Sequence, residues 1–343
     1  ETLGGFNQSY IPESELALHE VLPDGQKAKQ LGFDDHPAYT YRVAEMLKAQ
    51  TEKVWGYPYA DIVMGCHMAN PSNVFRAMAT SDPYPVKAFF VLGNNALMSY
   101  PNQHQILKAM MNQDLIVAHE IFMTPTAMLA DYVLPGDVFT ERNHIADSWS
   151  WTTRLSLSQK VVEPPEGASS TFEFWRDLAK AFGFGEHFPW GTLEALLDYR
   201  LSRSGRTFTD FEQSGYMELQ TPEFRKYRKT GFATPSGKVE LFSSILGDLG
   251  FDPLPYYREG PALSEAYPYA VFSGVREDPF FQTGQRNIAE LRQRCPLPSI
   301  FIHPADAEKE GLIDGDWVKI QTAYGEVTAK LAVQASMKQS HLR

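Results

Sequence analysis

Two patterns of hydrophobic and polar residues divide the chain into an α/β part and a β-rich part. Between residues 83 and 185, continuous apolar runs end in polar turns and are separated by segments with helical spacing. Continuous apolar runs of about four to eight residues are typical of strands that are buried on both faces of a parallel sheet. After residue 263 the apolar runs lie between turn residues and predict strands, which are Tyr269–Phe272, Ser299–Ile302, Trp317–Gln321 and Val327–Val333. The predicted fold class is α/β, with a Rossmann-like parallel-sheet domain followed by a β-rich domain.

Three predicted strands of the α/β part end in polar or turn residues. Ala88–Leu92 is followed by Gly93-Asn94-Asn95, Asp114–Ala118 is followed by His119-Glu120, and the third strand is Ala130–Leu134. The carboxyl ends of parallel strands meet at one edge of a sheet, and ligands such as nucleotides bind at that edge in open α/β sheets. The polar residues that follow these strands are therefore candidate ligand contacts.

Helical segments lie between and around these strands. Gln103–Asn112 connects the first two strands, and Thr124-Pro125-Thr126 is typical of a helix start. Ala38–Lys53 and Leu193–Leu201 are also predicted to be helices. The segment Phe172–Phe182 is amphipathic, and its predicted buried face consists of Phe172, Trp175, Leu178, Ala179 and Phe182.

Breaks in composition divide the 343 residues into four regions. Residues 1–82 are irregular around one helix and are interpreted as the remainder of a preceding domain. Residues 83–185 form the Rossmann-like dinucleotide-binding domain, residues 186–262 a connecting α/β segment, and residues 263–343 the β-rich domain.

Three separated blocks resemble the molybdopterin oxidoreductases of the dimethyl sulfoxide reductase type, and they follow in the order of that family. The first block comprises GNN at 93–95, HEIFMTPTAMLADYVLP at 119–135 and FTERNHI at 139–145. The second comprises TPSGKVELFS at 234–243 and SGVREDPFFQTGQRN at 273–287, and the third is FIHPADAEKEGLIDGDWVKIQTAYGEVTAKLAV at 301–333. The resemblance implies that the last region is a truncated double-psi-type β-barrel that binds a molybdopterin dinucleotide. It also implies a molybdopterin guanine dinucleotide cofactor, usually two copies that hold one molybdenum or tungsten.

The resemblance implies that the guanosine half of the cofactor is contacted at the ends of the first two strands. Gly93 permits a sharp turn, and Asn94 and Asn95 offer donors and acceptors, which serve a ligand and a helix cap equally well. Glu120, beside His119, occupies a position where many relatives carry Asp, and its carboxylate can accept hydrogen bonds from guanine N–H groups or a ribose hydroxyl. The alternative for Glu120 is an N-cap or a charge without a role in binding.

Two further candidates follow the second and third strands. Thr124 is expected to cap the next helix and to reach the ligand. Arg142 stands where relatives often have Lys or Arg, and its forked guanidinium suits a phosphate or a guanine edge. The alternative for Arg142 is a surface salt bridge near Glu141.

A second set of candidates lies in the β-rich part. Relatives carry here a loop that runs along the pterin and the pyrophosphate. Small residues permit close approach of the backbone, and arginines bind phosphates in bidentate fashion. Without the resemblance, a pair of arginines such as Arg276 and Arg286 in a β-rich domain would be interpreted as solvated surface. The set consists of Ser273, Gly274, Arg276, Gln282, Thr283 and Arg286.

The metal ligand and an iron–sulfur motif are not found in this sequence. Only Cys66 and Cys295 are present, and no CxxC pair or His/Cys cluster accompanies them. Family members carry both features in an amino-terminal portion, where the metal ligand and an iron–sulfur cluster are expected. Cys66 with His67 is an alternative ligand, whereas the structural interpretation is a buried thiol. The catalytic residues therefore stay unknown.

Charge and hydropathy narrow the classes of partner. The net charge of −11 excludes a general nucleic-acid binder, because phosphates require a basic surface. No apolar run reaches the roughly 20 residues of a membrane helix. The expected partners are a small-molecule substrate and an electron-transfer subunit.

Three functions follow from these observations. The first is part of an oxidoreductase that carries out two-electron chemistry on a small substrate at a molybdenum or tungsten centre. The second is a non-redox hydratase or lyase on the same scaffold, because fold and cofactor do not determine the reaction. The third is a cofactor-binding module without catalysis of its own.

Overall fold

The structure is a computed structural model, and the chain divides into two compact units, Glu1–Pro255 and Tyr256–Arg343. The described residues are 23–55, 69–147, 154–202, 205–218, 224–260, 262–273, 278, 280 and 283–343. Five residues singled out from the sequence lie outside them: Cys66, His67, Gly274, Arg276 and Gln282.

Helices precede the parallel sheet of the first unit. They are α1 (Asp24–Lys27), a 3-10 turn at Pro37–Tyr39, α2 (Tyr41–Trp55) and α3 (Pro71–Thr80). Helix α3 falls in a region that the sequence analysis treated as irregular, and that prediction was wrong. Its start has a local signal, because the side chain of Asn70 accepts a hydrogen bond from the N–H of Ser72 and Pro71 occupies the first turn.

The predicted parallel sheet is confirmed. Strands β1 (Ala88–Leu92), β2 (Leu115–Glu120) and β3 (Tyr132–Pro135) pair in the order β1-β2-β3, all parallel. Strand β2 runs two residues further than predicted, because His119 pairs with Leu134 and Glu120 with Pro135. Both side chains therefore belong to the last residues of a strand and not to a loop.

Helices α4 (Ala96–Ser99) and α5 (Gln103–Met111) connect β1 to β2. A buried apolar cluster joins α3 and α5 to this sheet and consists of Phe75, Met78, Val91, Ala96, Ile106, Ala109, Met110 and Ile116. This cluster packs the apolar residues of β1 and β2 against α3 and α5.

An antiparallel sheet and several helices complete the first unit. Strands β4 (His144–Asp147), β5 (Arg154–Ser158) and β6 (Tyr216–Glu218) pair in that order. The remaining elements are α6 (Thr171–Ala181), a 3-10 turn at Gly185–His187, α7 (Leu193–Leu201), α8 (Phe208–Ser214), α9 (Tyr227–Thr230) and α10 (Ser244–Asp248). Helix α8 and strand β6 were not predicted.

Helix α6 begins where it was predicted but buries a different face. Ser170 and Glu173 form a reciprocal capping box that starts the helix. Phe174, which is outside the predicted apolar face, is buried, whereas Trp175 and Phe182 are exposed by 40% and 67%. The prediction was therefore wrong for Trp175 and Phe182, whereas Phe172, Leu178 and Ala179 are half-buried. Phe174 is buried because its ring contacts His119 and Phe90 of the sheet.

The second unit is rich in strands. Its elements are β7 (Ala270–Val271), α11 (Ala289–Arg292), β8 (Ser299–Ile302), α12 (Pro304–Glu310), β9 (Trp317–Thr322), β10 (Gly325–Val333) and β11 (His341–Leu342). One sheet has the order β8-β10-β9, and β11 pairs in parallel with β7. The sheet and α12 enclose an apolar core that includes Ile300, Ile302, Ala307, Ala329 and Leu331. The predicted strand Tyr269–Phe272 is shorter than expected, and the other three predicted strands are confirmed.

Candidate functional site

The carboxyl ends of β1 and β2 are joined at Gly93. Its N–H donates a hydrogen bond to the carbonyl oxygen of His119 across 3.0 Å. Its φ is +59°, a left-handed conformation that favours glycine, and no atom lies within 4 Å of the position that a Cβ would occupy. Gly93 therefore leaves open space beside the backbone at the sheet edge, as a ligand site requires.

The two asparagines after Gly93 make different contacts. Nδ2 of Asn94 donates to the hydroxyl of Tyr100 across 3.4 Å. Asn95 is the N-cap residue of α4, but its side chain makes no capping bond. Oδ1 of Asn95 instead accepts a hydrogen bond from the hydroxyl of Thr126 across 2.9 Å. The structure thus removes helix capping as the alternative role of Asn95.

Thr126 links the loops that follow β1 and β2. Its side chain is fully buried, and its Oγ1 also accepts from the N–H of Leu97 across 2.9 Å. The sequence analysis assigned Thr126 to a helix start and missed its bond to Asn95. No local pattern could have shown it, because the two residues are 31 positions apart.

Glu120 ends β2 with a half-buried carboxyl group. Burial raises its pKa above the ordinary glutamate value, and hydrogen bonding to the backbone opposes that rise. The N–H of Ile121 donates to the carboxylate across 3.2 Å. A carboxylate has about four acceptor positions, so the bond from Ile121 leaves this group able to accept a donor from a ligand as well.

His119 is buried near the carboxyl end of β2. Its Nε2 lies 2.9 Å from the carbonyl oxygen and 3.2 Å from the hydroxyl of Ser169, and its ring packs on Phe174. A Cβ on Gly136 would lie only 3.1 Å from its Cε1. The His119 imidazole therefore packs against Phe174 and is hydrogen-bonded to Ser169, and its contact with a ligand stays a prediction.

Thr124 caps the turn that follows β2. Its Oγ1 accepts a hydrogen bond from the N–H of Ala127 across 3.1 Å, at the start of the 3-10 turn Ala127–Leu129. The bond matches the capping prediction in part, because the element is a 3-10 turn whose N-cap residue is Thr126. The Thr124 side chain is buried, and its contact with a ligand stays a prediction.

Arg142 forms an ion pair with Asp137. Its Nη1 binds the carboxylate of Asp137 and, across 3.3 Å, the carbonyl oxygen of the same residue. Glu141 does not share this pair, because its carboxylate accepts from the N–H of Val138. The Asp137 side chain is only 5% exposed and that of Arg142 is 30% exposed. Arg142 therefore neutralises a buried carboxylate, and its contact with a phosphate or guanine stays a prediction.

The described candidates of the second unit are near its surface. Ser273 and Arg286 are exposed, and Thr283 is half-buried. The guanidinium of Arg286 lies 4.3 Å from the ring centroid of Phe280, which is buried. Their contact with a pterin or pyrophosphate stays a prediction, because the neighbours Gly274, Arg276 and Gln282 lie outside the described residues.

The described part of the chain lacks a metal-binding cluster and a membrane-spanning helix. It contains no group of three or more His, Cys, Asp or Glu side chains that could hold a metal ion. Within the same residues, no helix has the length and apolar character needed to cross a membrane.

Two family models match the regions that carry these features. The model described as "Molybdopterin oxidoreductase" matches residues 30–181, and the model described as "Molydopterin dinucleotide binding domain" matches residues 271–342. The chain belongs to the molybdopterin oxidoreductases of the dimethyl sulfoxide reductase type, as its motifs predicted. Its cofactor is molybdopterin guanine dinucleotide with molybdenum or tungsten.

Individual relatives differ in the reactions that they catalyse. Acetylene hydratase of Syntrophotalea acetylenica is 41% identical over 100% of this chain and 48% of its own length. Thiosulfate reductase subunit PhsA of Salmonella typhimurium is 24% identical over 78% of this chain and 38% of its own. Dimethyl sulfoxide reductase DmsA of Escherichia coli is 26% identical over 74% of this chain and 35% of its own length.

A solved structure of an acetylene hydratase is also similar to this chain. Acetylene hydratase from Pelobacter acetylenicus superposes with a TM-score of 0.90 at 41% identity, over 97% of this chain and 47% of that protein. The chain thus spans less than half the length of each of these relatives.

The donors and acceptors at the sheet edge fit the guanosine end of the cofactor. Guanine offers N–H donors and oxygen and nitrogen acceptors. Glu120 supplies an ionisable acceptor, Asn95 supplies an amide, and Gly93 leaves room for close approach. The groups at the sheet edge are thus chemically complementary to guanine.

Proposed function

We propose that the chain is the part of a molybdopterin guanine dinucleotide hydratase that holds the guanosine end of the cofactor. The observation that carries the proposal is the 41% identity to acetylene hydratase along the whole chain, together with the TM-score of 0.90. Hydration was the alternative in the sequence analysis, where two-electron redox chemistry came first. A small unsaturated molecule is the proposed substrate class.

The residues of this chain contribute binding and orientation. Gly93 admits the nucleotide to the sheet edge, where the carboxylate of Glu120 accepts one N–H or hydroxyl of the guanosine. Ion pairing with Arg142 keeps the buried Asp137 carboxylate neutralised beside this edge. When bound, the cofactor supplies a metal centre that acts as a Lewis acid or as a two-electron redox site.

A two-electron oxidoreductase is the second candidate. It is supported by the matches to thiosulfate reductase and dimethyl sulfoxide reductase subunits. An electron-transfer partner belongs to this candidate only, because addition of water to an unsaturated bond needs no external electron donor or acceptor.

Anaerobic assays of the whole protein separate the two candidates. Metal and released guanine nucleotide are measured first, to establish that the preparation carries the cofactor. We expect the loaded protein to hydrate acetylene without oxidising or reducing a viologen dye. Dye-coupled turnover without hydration would replace the hydratase with the oxidoreductase.

A variant pair tests the role of Glu120. We expect Glu120→Gln to lower the guanine nucleotide content per protein, because an amide replaces the ionised acceptor. The control is Glu166→Gln, which changes an exposed carboxyl group elsewhere in the same unit. Equal nucleotide content in the two variants would remove Glu120 from the proposed site.

A further inference from the structure

We propose that Thr126 is a positioning residue that fixes the side-chain amide of Asn95, so that its NH2 group is presented to an acceptor atom of the guanosine. The proposal rests on the proposed guanosine site at the ends of β1 and β2. It adds a donor to that site and names the residue that determines which end of the amide faces the ligand.

The hydrogen bonds of the Thr126 hydroxyl determine the direction of this contact. Oγ1 of Thr126 accepts from the N–H of Leu97 across 2.9 Å, and the same oxygen lies 2.9 Å from Oδ1 of Asn95. A hydroxyl has one proton to donate. Because Thr126 is fully buried, a proton without an acceptor would cost free energy. The hydroxyl therefore donates to Oδ1 of Asn95, and the flipped amide would leave that proton without a partner.

Fixing Oδ1 leaves Nδ2 of Asn95 as a donor with two hydrogens. No described residue accepts a hydrogen bond from it. Asn95 is half-buried, and its Nδ2 is not among the buried unpartnered atoms of the described residues, so this nitrogen is accessible. It lies two residues after Gly93, where the backbone leaves open space.

The donor complements the acceptor on the neighbouring strand. Glu120 ends β2 with an ionisable acceptor, and Asn95 follows β1 with a donor. Guanine presents N–H donors on one edge and the acceptors O6 and N7 on another. A carboxylate and an amide NH2 at adjacent strand ends therefore match a base that carries both kinds of group.

Variants of the cofactor-loaded protein test the proposal through nucleotide retention. Each holoenzyme is held below its unfolding temperature, and the guanine nucleotide that stays bound after gel filtration is measured over time. We expect Thr126→Val, which removes the hydroxyl at nearly constant volume, to lose nucleotide roughly tenfold faster, about the effect of one hydrogen bond. Thr126→Ser keeps the hydroxyl and should restore the rate of the unchanged protein.

Asn95→Asp tests the NH2 group of Asn95 separately from the hydrogen bond between Asn95 and Thr126. Asp keeps an oxygen that can accept from Thr126, but it presents a carboxylate oxygen where the amide presents NH2. We expect a loss rate at least as fast as that of Thr126→Val. The double variant should be no faster than Asn95→Asp alone, because both changes act on one contact.

Controls separate positioning from general destabilisation. Thr51→Val removes another buried hydroxyl, which donates to the carbonyl of Lys48 in helix α2, and should leave nucleotide retention unchanged. The proposal would be overturned if the double variant lost nucleotide at a rate given by the product of the two single effects. Normal nucleotide retention in Thr126→Val would also overturn it. A loaded protein without any guanine nucleotide would instead overturn the proposed function.

Discussion

His119 and Ser169 are joined by a hydrogen bond of 2.9 Å from the imidazole Nε2 to the carbonyl oxygen, although they are 50 residues apart. A carbonyl oxygen only accepts, so Nε2 carries the proton. The same carbonyl accepts the N–H of Asp137 across 3.1 Å, and the residue after Ser169 caps helix α6. This contact ties the end of β2 to the start of α6, directly behind the proposed guanosine site.

Replacement of His119 by Phe should lower the free energy of unfolding by about 1 kcal/mol. The aromatic ring is kept against Phe174, and the carbonyl of Ser169 keeps its bond from Asp137, so the loss is that of one hydrogen bond. Urea unfolding measures the change. His104→Gln alters an exposed histidine of α5 and should stay within about 0.5 kcal/mol of the unchanged chain. Equal stability of the His119 variant would show that the bond contributes nothing.

Replacement of Gly93 by Ala should affect both stability and cofactor content. The left-handed φ of +59° makes alanine cost about 1–2 kcal/mol, and the new methyl group would occupy the open space at the sheet edge. Gly215→Ala is the matched control, because Gly215 has φ +71° and also has no atom within 4 Å of a Cβ. Urea unfolding should show similar losses, whereas guanine nucleotide per protein should fall only in the Gly93 variant. A parallel fall in both variants would point to folding and not to ligand contact.

Replacement of Arg142 by Met should destabilise the fold by about 3 kcal/mol, because it leaves the buried Asp137 carboxylate without a counter-charge. The contrasting change is Lys87→Met, which removes an ion pair with Asp114 whose two side chains are each 72% exposed. That change should cost less than about 1 kcal/mol. Urea unfolding of both variants checks the difference, and a small effect for Arg142 would mean that Asp137 is accommodated without it.

The raised pKa of Glu120 predicts a pH dependence of stability. The folded state holds its proton more tightly than the unfolded state, whose glutamate pKa is about 4.3. The stability contributed by this group is therefore fully present below the unfolded pKa and is lost as the pH rises through the folded pKa. We expect the free energy of unfolding of the unchanged chain, relative to Glu120→Gln, to fall as the pH is raised from 4 to 7. Urea unfolding at several pH values tests the sign, and a rise over this interval would contradict the burial of Glu120.

Local signals predicted much of the first sheet and parts of the second unit. Ala88–Leu92 and Ser299–Ile302 are continuous apolar runs, and the structure gives them as strands with the predicted bounds. Helix α12 begins with His303 and Pro304 as its cap and first residue, a pattern that is readable without tertiary contacts. Helix α8, which was not predicted, also carries a local signal, the capping box of Thr207 and Asp210.

The location of the candidate site at the sheet edge could be predicted from sequence, but the contacts of its side chains could not. Parallel strands must bring the polar ends of β1 and β2 to one edge, so Gly93, Asn95 and Glu120 were selected from sequence. The sequence could not show which of these polar side chains faces inward, because the direction of a side chain depends on packing against another element. His119 belongs to the same strand as Glu120, but contact with Phe174 and Ser169 buries its ring.

The family, the cofactor class and the strands that meet at the sheet edge could be predicted from the amino-acid sequence alone, because motifs, apolar runs and turn residues are properties of neighbouring positions. The pairing of Thr126 with Asn95 and of Arg142 with Asp137, and the burial of His119, became known from the folded structure. The first of these contacts joins residues 31 positions apart and that of His119 with Ser169 spans 50. Such contacts form when helices and strands pack together, and the free energy of that packing depends on residues that are distant in the chain.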